Sequence, residues 1–513
     1  MKTKSLEVTK KSIFKYLPTL FVLALAISIS SCRKDFSTIP SFGQLEFSRD
    51  TVYLDTVFTN IGSATYNLKV YNRSNNDITI PNIALENGTG SNYRLNVDGI
   101  PGKDFQNIDI LAKDSIFIFV ETTIDVSSLT DPLYLDRILF DTGTKQQDVD
   151  LVTLVQDAHF IFPGKDPITM EIDSLSLDGQ PTIIKGRFLT DAELNFTNDK
   201  PYVIYGYAAV PAAKTLTINA GARIHFHNNS GLIIDTDATL DVNGTLNEKV
   251  IFEGDRIEHA FDQVPGQWGT IWLREGSKYN RINHAIIKNG IIGLLIDSNT
   301  TSLTIIDNTE IYNHSNFGIL ARQANLSGFN LVIGSAGEAS LACVGGGNYT
   351  FQYGTFANYW NNGVRSLPTV LVNNFFSTTD QNGQEVIEPK DLINASFYDC
   401  IIDGNNNIEF VADRVDGALF NFKVSHSMVK FNDINNNFAG VSEFDFNDIN
   451  LYENIILNGF THFRDPTNSD FIIGQDSDAI GIGVPLFIQT YDLLGVARNF
   501  TMPDAGAYEH ISF

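Results

Sequence analysis

Asn283-His284-Ala285-Ile286, followed by Gly293-Leu294-Leu295, returns as Asn308-Thr309-Glu310-Ile311 with Gly318-Ile319-Leu320, every position displaced by 25 residues. Asn330-Leu331-Val332-Ile333 with Leu341-Ala342 continues the pattern at a spacing of 22. A repeat this short cannot bury its own apolar residues and has to stack on copies of itself. Each coil then puts its aliphatic side chains inside a narrow tube, while its backbone pairs with the coils above and below. Asparagine suits a corner of such a coil, because it tolerates a left-handed backbone and its amide can bond the amide one coil away. The spacing predicts a column of Asn283, Asn308 and Asn330.

The same texture extends outward. Leu216-Thr217-Ile218-Asn219, Ile224-His225-Phe226, Gly231-Leu232-Ile233-Ile234, Leu240-Asp241-Val242-Asn243 and Val250-Ile251-Phe252 read as very short strands between tight polar turns, and no stretch reads as a long helix. The solenoid is expected over 185–513, after a linker at 161–184. Upstream, over 43–160, longer runs alternate with period two: Asp50-Thr51-Val52-Tyr53-Leu54, Tyr66-Asn67-Leu68-Lys69-Val70-Tyr71-Asn72 and Asp114-Ser115-Ile116-Phe117-Ile118-Phe119-Val120. That spacing, without helical periodicity between the runs, predicts an antiparallel sandwich. The expected class is all-β.

Composition agrees with that reading and excludes some functions. The chain has 513 residues, with 39 Gly, 37 Phe and 18 Tyr but only 4 Met. Its net charge is −25, and the first 31 residues are basic, so the remainder carries −29. Nucleic acid is excluded as a partner, since binding it needs clustered Lys and Arg. Adsorption to anionic lipid is disfavoured for the same reason.

Membrane attachment is expected from the N-terminus instead. Lys10, Lys11 and Lys15 precede an apolar run, Leu20 to Ile27, about half the ~20 residues that a membrane-spanning helix needs. Ile29-Ser30-Ser31-Cys32 resembles the bacterial lipobox. The resemblance implies a signal peptide over 1–31, lipidation of Cys32 and a short anchor segment over 32–42. Arg33 after the cysteine fits Gram-negative outer-membrane sorting, with the cell surface favoured over the periplasmic face. Cys343 and Cys400 sit in apolar strand-like runs and read as buried free thiols.

Three segments resemble the right-handed parallel β-helix family, the pectate-lyase-like superfamily: residues 214–252, the Gly266-Gln267-Trp268-Gly269-Thr270-Ile271 coil, and a terminal pair, Ser477–Gly483 with Asp504-Ala505-Gly506-Ala507-Tyr508-Glu509. The last is similar to that family's terminal coil. The upstream sandwich resembles immunoglobulin-like domains of the ASH/MSP type, through Asn72, Ile78-Thr79-Ile80 and Asp114-Ser115-Ile116. Together the resemblances imply an N-terminal immunoglobulin-like β-sandwich followed by a right-handed parallel β-helix. Four Asp-Ser/Thr-aliphatic triplets, starting at Asp50, Asp55, Asp114 and Asp173, are similar to an envelope O-glycosylation sequon and occur readily by chance in such a chain.

The family implies a fold rather than a chemistry. None of the polygalacturonase motifs (Asn-Thr-Asp, Asp-Asp, Gly-His-Gly, Arg-Ile-Lys) is present. Candidate residues are scattered: Arg223 on an early coil with His225 and His227, the two histidines expected to face outward; His284 and Lys288; Asp413-Arg414-Val415-Asp416; and His462 to Asp465. Glu443-Phe444-Asp445-Phe446-Asn447-Asp448 offers oxygen ligands of the kind Ca²⁺ prefers, without a calcium loop's glycine spacing; no other cofactor or metal is expected. Tyr349, Phe351 and Tyr353 alternate onto one face, with Trp360 nearby, and exposed rings would stack on sugars; packing inside the coil is the competing reading. Residues 361–392 read as a loop projecting over a binding face.

The expectation is a lipid-anchored surface protein with a non-catalytic role, recognising glycans or docking to an outer-membrane barrel protein. Tyr349, Phe351, Tyr353, Trp360, Asp413 and Arg414 are its ligand-binding candidates. The alternative is a polysaccharide lyase or glycoside hydrolase acting on acidic glycans. An arginine or lysine beside two carboxylates in one groove would favour that alternative.

Overall fold

The computed structural model describes residues 37–484 and 491–513. Cys32 and the lipobox lie outside the described residues. The chain divides into two compact units between Val155 and Gln156.

The first unit is a sandwich of two largely antiparallel sheets, in which Ile39–Pro40 runs parallel to Ile78–Leu85. One sheet orders Glu46–Phe47, Tyr66–Tyr71, Ser115–Thr122, Tyr93–Val97 and Ile100–Gly102. The other is built on Ile78–Leu85, Leu133–Phe140, Gln147–Gln156 and Thr51–Phe58. Alternation decides what is buried: Ile116, Ile118 and Val120 join the core with Leu68, Val70, Ile80 and Phe140. Asn72, at the end of its strand, is buried, and its amide donates to the carbonyls of Asn76, Ile110 and Leu111.

The second unit is a parallel β-helix. The coils build three stacked parallel sheets, here called sheets 1, 2 and 3 in the order a full coil visits them. Sheet 1 contains Tyr207–Val210, Gly231–Ile234, Ile271–Leu273, Ile292–Asp297, Val370–Asn373 and Phe410–Asp413; sheet 2 contains Thr215–Asn219, Thr239–Asn243, Arg281–Asn283 and Thr304–Asp307. Phe317–Phe329 and Ala339–Gln352 run through the corner between these two sheets and join them. Sheet 3 stacks eleven strands, and its register sets Ile287, Ile311, Ile333, Phe356, Ile402 and Val429 in one inward column. All six are fully buried. Each such side chain contributes about 1.5–3 kcal/mol on burial.

The asparagine column forms with one displacement. Asn308 Nδ2 donates to Asn283 Oδ1 (3.1 Å) and Asn330 Nδ2 donates to Asn308 Oδ1 (3.0 Å). Asn283, however, is in register with Asp307, so His284 takes the left-handed corner position that Asn308 and Asn330 occupy. Tyr353, Asp399, His426 and Asn454 continue that row at positive φ.

Three further expectations are corrected. The expected linker at 161–184 belongs to the solenoid: His159–Ile161 opens sheet 3, and the hairpin Ser174–Leu177/Gln180–Phe188 lays Leu175 and Leu177 over Ala209 and Ile233. The hairpin thus covers the outward face of the first coils of sheet 1. The Asp504–Glu509 motif is not a coil. It lies on the outer side of sheet 3, where Ala505, Ala507 and Tyr508 pack with Val332, Ala357 and Ile401. Within 361–392 only the hairpin Phe375–Thr379/Glu385–Pro389 stands off the solenoid, because Val370–Asn373 is a strand of sheet 1.

Candidate functional site

The strand Phe410–Asp413 alternates inward and outward: Phe410 and Ala412 are buried, while Val411 and Asp413 face out. Arg414 and Asp416 follow at the corner. The next coil has no strand of sheet 1. In its place 437–444 folds over the end of the tube, where Phe438, Phe444 and Phe446 pack on Phe431, ring centroids 4.9–5.5 Å apart. The loop that plugs the core therefore also carries Glu443 to the rim. Arg414 bonds Glu443 Oε1 through Nη1 (3.2 Å) and Asp416 Oδ1 through Nη2 (3.3 Å). These groups, with Asp413, Val411, Phe438 and Phe444, line a recess of about 610 Å³.

The two carboxylates nearest the apolar wall are pushed apart. Partial burial raises the Asp413 carboxyl above its usual range. Burial also works to raise Glu443, but hydrogen bonds from Ser442 and Arg414, with the guanidinium charge, outweigh it and hold the group low. The recess thus sets a carboxyl raised by partial burial beside one held low by its hydrogen bonds. Its three acids against one arginine repel a polyanion.

A second recess, of about 530 Å³, opens on the outer side of sheet 3 beside Tyr359, Asp403 and Lys430. The Tyr359 hydroxyl donates to Asp403 Oδ2 (2.7 Å), and Thr461 donates to the same oxygen (3.1 Å). Lys430 bonds the Gly404 carbonyl. Most of its polar atoms are spent on the fold. Tyr359 belongs to the aromatic run that stood out in the sequence, whereas Asp403 and Lys430 did not; coil register, which sets Asp403 opposite Lys430, brings them together.

Other candidates are placed as follows. Tyr349 and Phe351 share one face, as alternation required, but that face is the inside; Tyr353 does not join them and stands at the left-handed corner. The first two are fully buried, Tyr349 with its hydroxyl on the Gly346 carbonyl (2.8 Å) and Phe351 stacked on Phe397 (5.3 Å). Tyr353 lies under the Arg498 guanidinium, 3.9 Å from the ring centre. These rings present no surface to a ligand. Trp360 is also buried and borders only a narrow polar recess of about 200 Å³.

His225, expected at the surface, is buried, with Nδ1 3.2 Å from the Gly254 carbonyl. His227 pairs with Asp255 (2.7 Å) and stacks on Tyr205, and Lys288 pairs with Glu253 (2.9 Å). Arg464 pairs with Asp470 (2.6 Å). Within the acidic stretch, Glu443 turns to Arg414 while Asp445 and Asp448 accept bonds from the backbone of Asn447 and Asn450. Cys343 and Cys400 are free and buried.

Comparison of the sequence with family models and with curated proteins finds no match. Among solved structures, a family 123 glycoside hydrolase from Clostridium perfringens is 13% identical over 22% of this chain and 26% of its own length, with a TM-score of 0.15. The catalytic unit of a GH87 α-1,3-glucanase from Streptomyces thermodiastaticus is 11% identical over 71% of this chain and 79% of its own, with a TM-score of 0.23. Likeness this low assigns neither a family nor a chemistry.

Proposed function

We propose that the β-helix cleaves a neutral glycan at the recess formed by Asp413, Arg414, Asp416 and Glu443, on an exported protein anchored through Cys32. One observation carries the reading: a single arginine beside two carboxylates, in a recess whose apolar wall also holds Asp413. That meets the condition for the enzyme alternative, whereas the surplus of carboxylates argues against its acidic substrate. Two carboxyls shifted in opposite directions are what glycoside hydrolysis requires. Asp413 would protonate the leaving oxygen. Glu443 would serve as base or nucleophile, oriented by Arg414, while Phe438 and Phe444 offer apolar surface to the sugar ring. The non-catalytic reading keeps one argument: the acids come from two chain segments, not from three stacked coils.

Incubation with a panel of neutral glycans separates the two. Cleavage predicts new reducing ends without unsaturated sugars, and a loss of about 10²-fold or more in Asp413→Asn and Glu443→Gln. Retention of a glycan with no released product, in the natural chain and both variants alike, would establish the binder instead. Unsaturated ends would establish a lyase.

A further inference from the structure

Another recess, of about 560 Å³, lies at the corner between sheets 1 and 2, around Lys278, Tyr279, Arg281, Thr301 and Ser302. Tyr279 is its unusual member. Its backbone is left-handed (φ 55°), a conformation that costs a bulky side chain free energy. The ring is 74% exposed, so packing does not offset that cost. Tyr353 makes the contrast, being equally left-handed (φ 51°) but buried beneath Arg498. The Tyr279 N–H donates to Ser302 Oγ (2.8 Å), which holds the strained peptide in place. Beside the ring, Lys278 is neutralised by Asp237 (2.9 Å). Arg281 is exposed, opposite Asp241 in register and within electrostatic reach of Asp307, and no salt bridge to it is formed among the described residues.

The position is informative as well. From Ile271–Leu273, whose following turn carries Tyr279, sheet 1 runs through five pairings to Phe410–Asp413, whose following turn carries Arg414. At about 4.8 Å per strand the two recesses stand roughly 24 Å apart along one corner. Strain without packing, at a site with an open ring and an exposed guanidinium, indicates a ligand.

We propose that this recess is a second glycan subsite, where a pyranose ring stacks on Tyr279 and its hydroxyls bond Arg281 and Thr301, so that a long chain engages it and the Asp413 recess together. The inference rests on the glycan reading and adds to it a polymeric substrate.

The test uses the full chain, Tyr279→Gly and Arg281→Ala in affinity electrophoresis through gels containing soluble glucan, xylan or mannan, with polygalacturonate as a separate arm. Tyr279→Gly should lower retention by about tenfold, the worth of one stacked ring, while its melting temperature rises because glycine relieves the strain. Arg281→Ala should lower retention several-fold. Cleavage of a trisaccharide, too short to span both recesses, should not change in either variant. Salt-sensitive retention confined to polygalacturonate would identify an anionic chain and overturn the pyranose-stacking account. Retention of every held polymer unchanged in Tyr279→Gly, no retention by the natural chain, or a lowered melting temperature would each overturn the subsite. Cleavage in the natural chain with an unaltered KM for polymer in Tyr279→Gly removes the subsite alone. Loss of retention in Tyr279→Gly, where the natural chain binds but never cleaves, removes the cleavage reading alone.

Discussion

The strand Phe410–Asp413 has an arginine–glutamate pair at each end, and the two differ in nearly everything except their chemistry. At its start Glu409 meets Arg365 in a fork of two bonds, 2.6 and 2.8 Å, with both side chains all but excluded from solvent. Glu409 also accepts from Thr369 N and Oγ1 and from Asn406 N, and Arg365 from its side donates to the Leu367 and Asn358 carbonyls. Past the strand's end, Arg414 makes one bond to Glu443 and one to Asp416, and Asp416 is almost wholly exposed. A pair whose acceptors are filled by the fold serves the fold. A pair with unused donors and acceptors beside a recess remains free to meet a ligand.

Removing one partner from the buried pair should have the largest effect. Arg365→Ala leaves the Glu409 carboxylate in the interior without its cation, and should cost about 3–5 kcal/mol. A shift of the urea midpoint at unchanged slope measures it. A loss below about 1 kcal/mol would mean that water reaches Glu409 and would dissolve the contrast between the two ends.

The asparagine ladder lies between these extremes, half-buried at Asn283 and Asn308, buried at Asn330, and bonded on both sides of Asn308. Asn308→Ala removes its bonds to Asn283 and Asn330 and also places alanine at φ 48°, for a combined loss of about 2 kcal/mol. Asn308→Gly tolerates the backbone and should recover roughly half of it. Equal losses for the two variants would show that the amides alone matter.

This ladder marks how far the sequence could be read. Coils were legible because the aliphatic and amide spacing is a local property of the chain. The corner position was off by one at Asn283, since register is counted from the strand, and His284 fills the left-handed site without resembling its neighbours. Alternation put Tyr349 and Phe351 together, yet it does not say which face is inside; the stacking of Phe351 on Phe397, from a later coil, decides that, and Tyr353 falls at the left-handed corner instead. Asp413, Arg414 and Glu443 were each singled out, but their meeting depends on a plug of phenylalanines that has no period. The Asp504–Glu509 segment was recognisable as a motif and misplaced as a coil, because nothing in a linear pattern distinguishes stacking on the end from lying along the side.

The smallest effect on stability belongs to the open pair, and there pH is the sharper probe. Arg414→Ala should change stability by about 1 kcal/mol or less, since Asp416 is already exposed and Glu443, though largely buried, keeps its bond from Ser442. Glu443, held below the ordinary carboxylate range, contributes stability that is present above that range and lost as pH falls through its depressed value. Without Arg414 that acid-side loss should shrink, and the Glu443 titration followed by NMR should move upward. Asp413 has the opposite sign. Its raised carboxyl favours the fold when protonated, so its unfavourable contribution grows as pH rises through the raised value, and Asp413→Asn should be no less stable than the natural chain at neutral pH. Should Arg414→Ala instead unfold the protein as readily as Arg365→Ala, the recess would be a structural knot like the other end of the strand. A chain that keeps its stability while losing cleavage places the chemistry at Arg414 and its two neighbours.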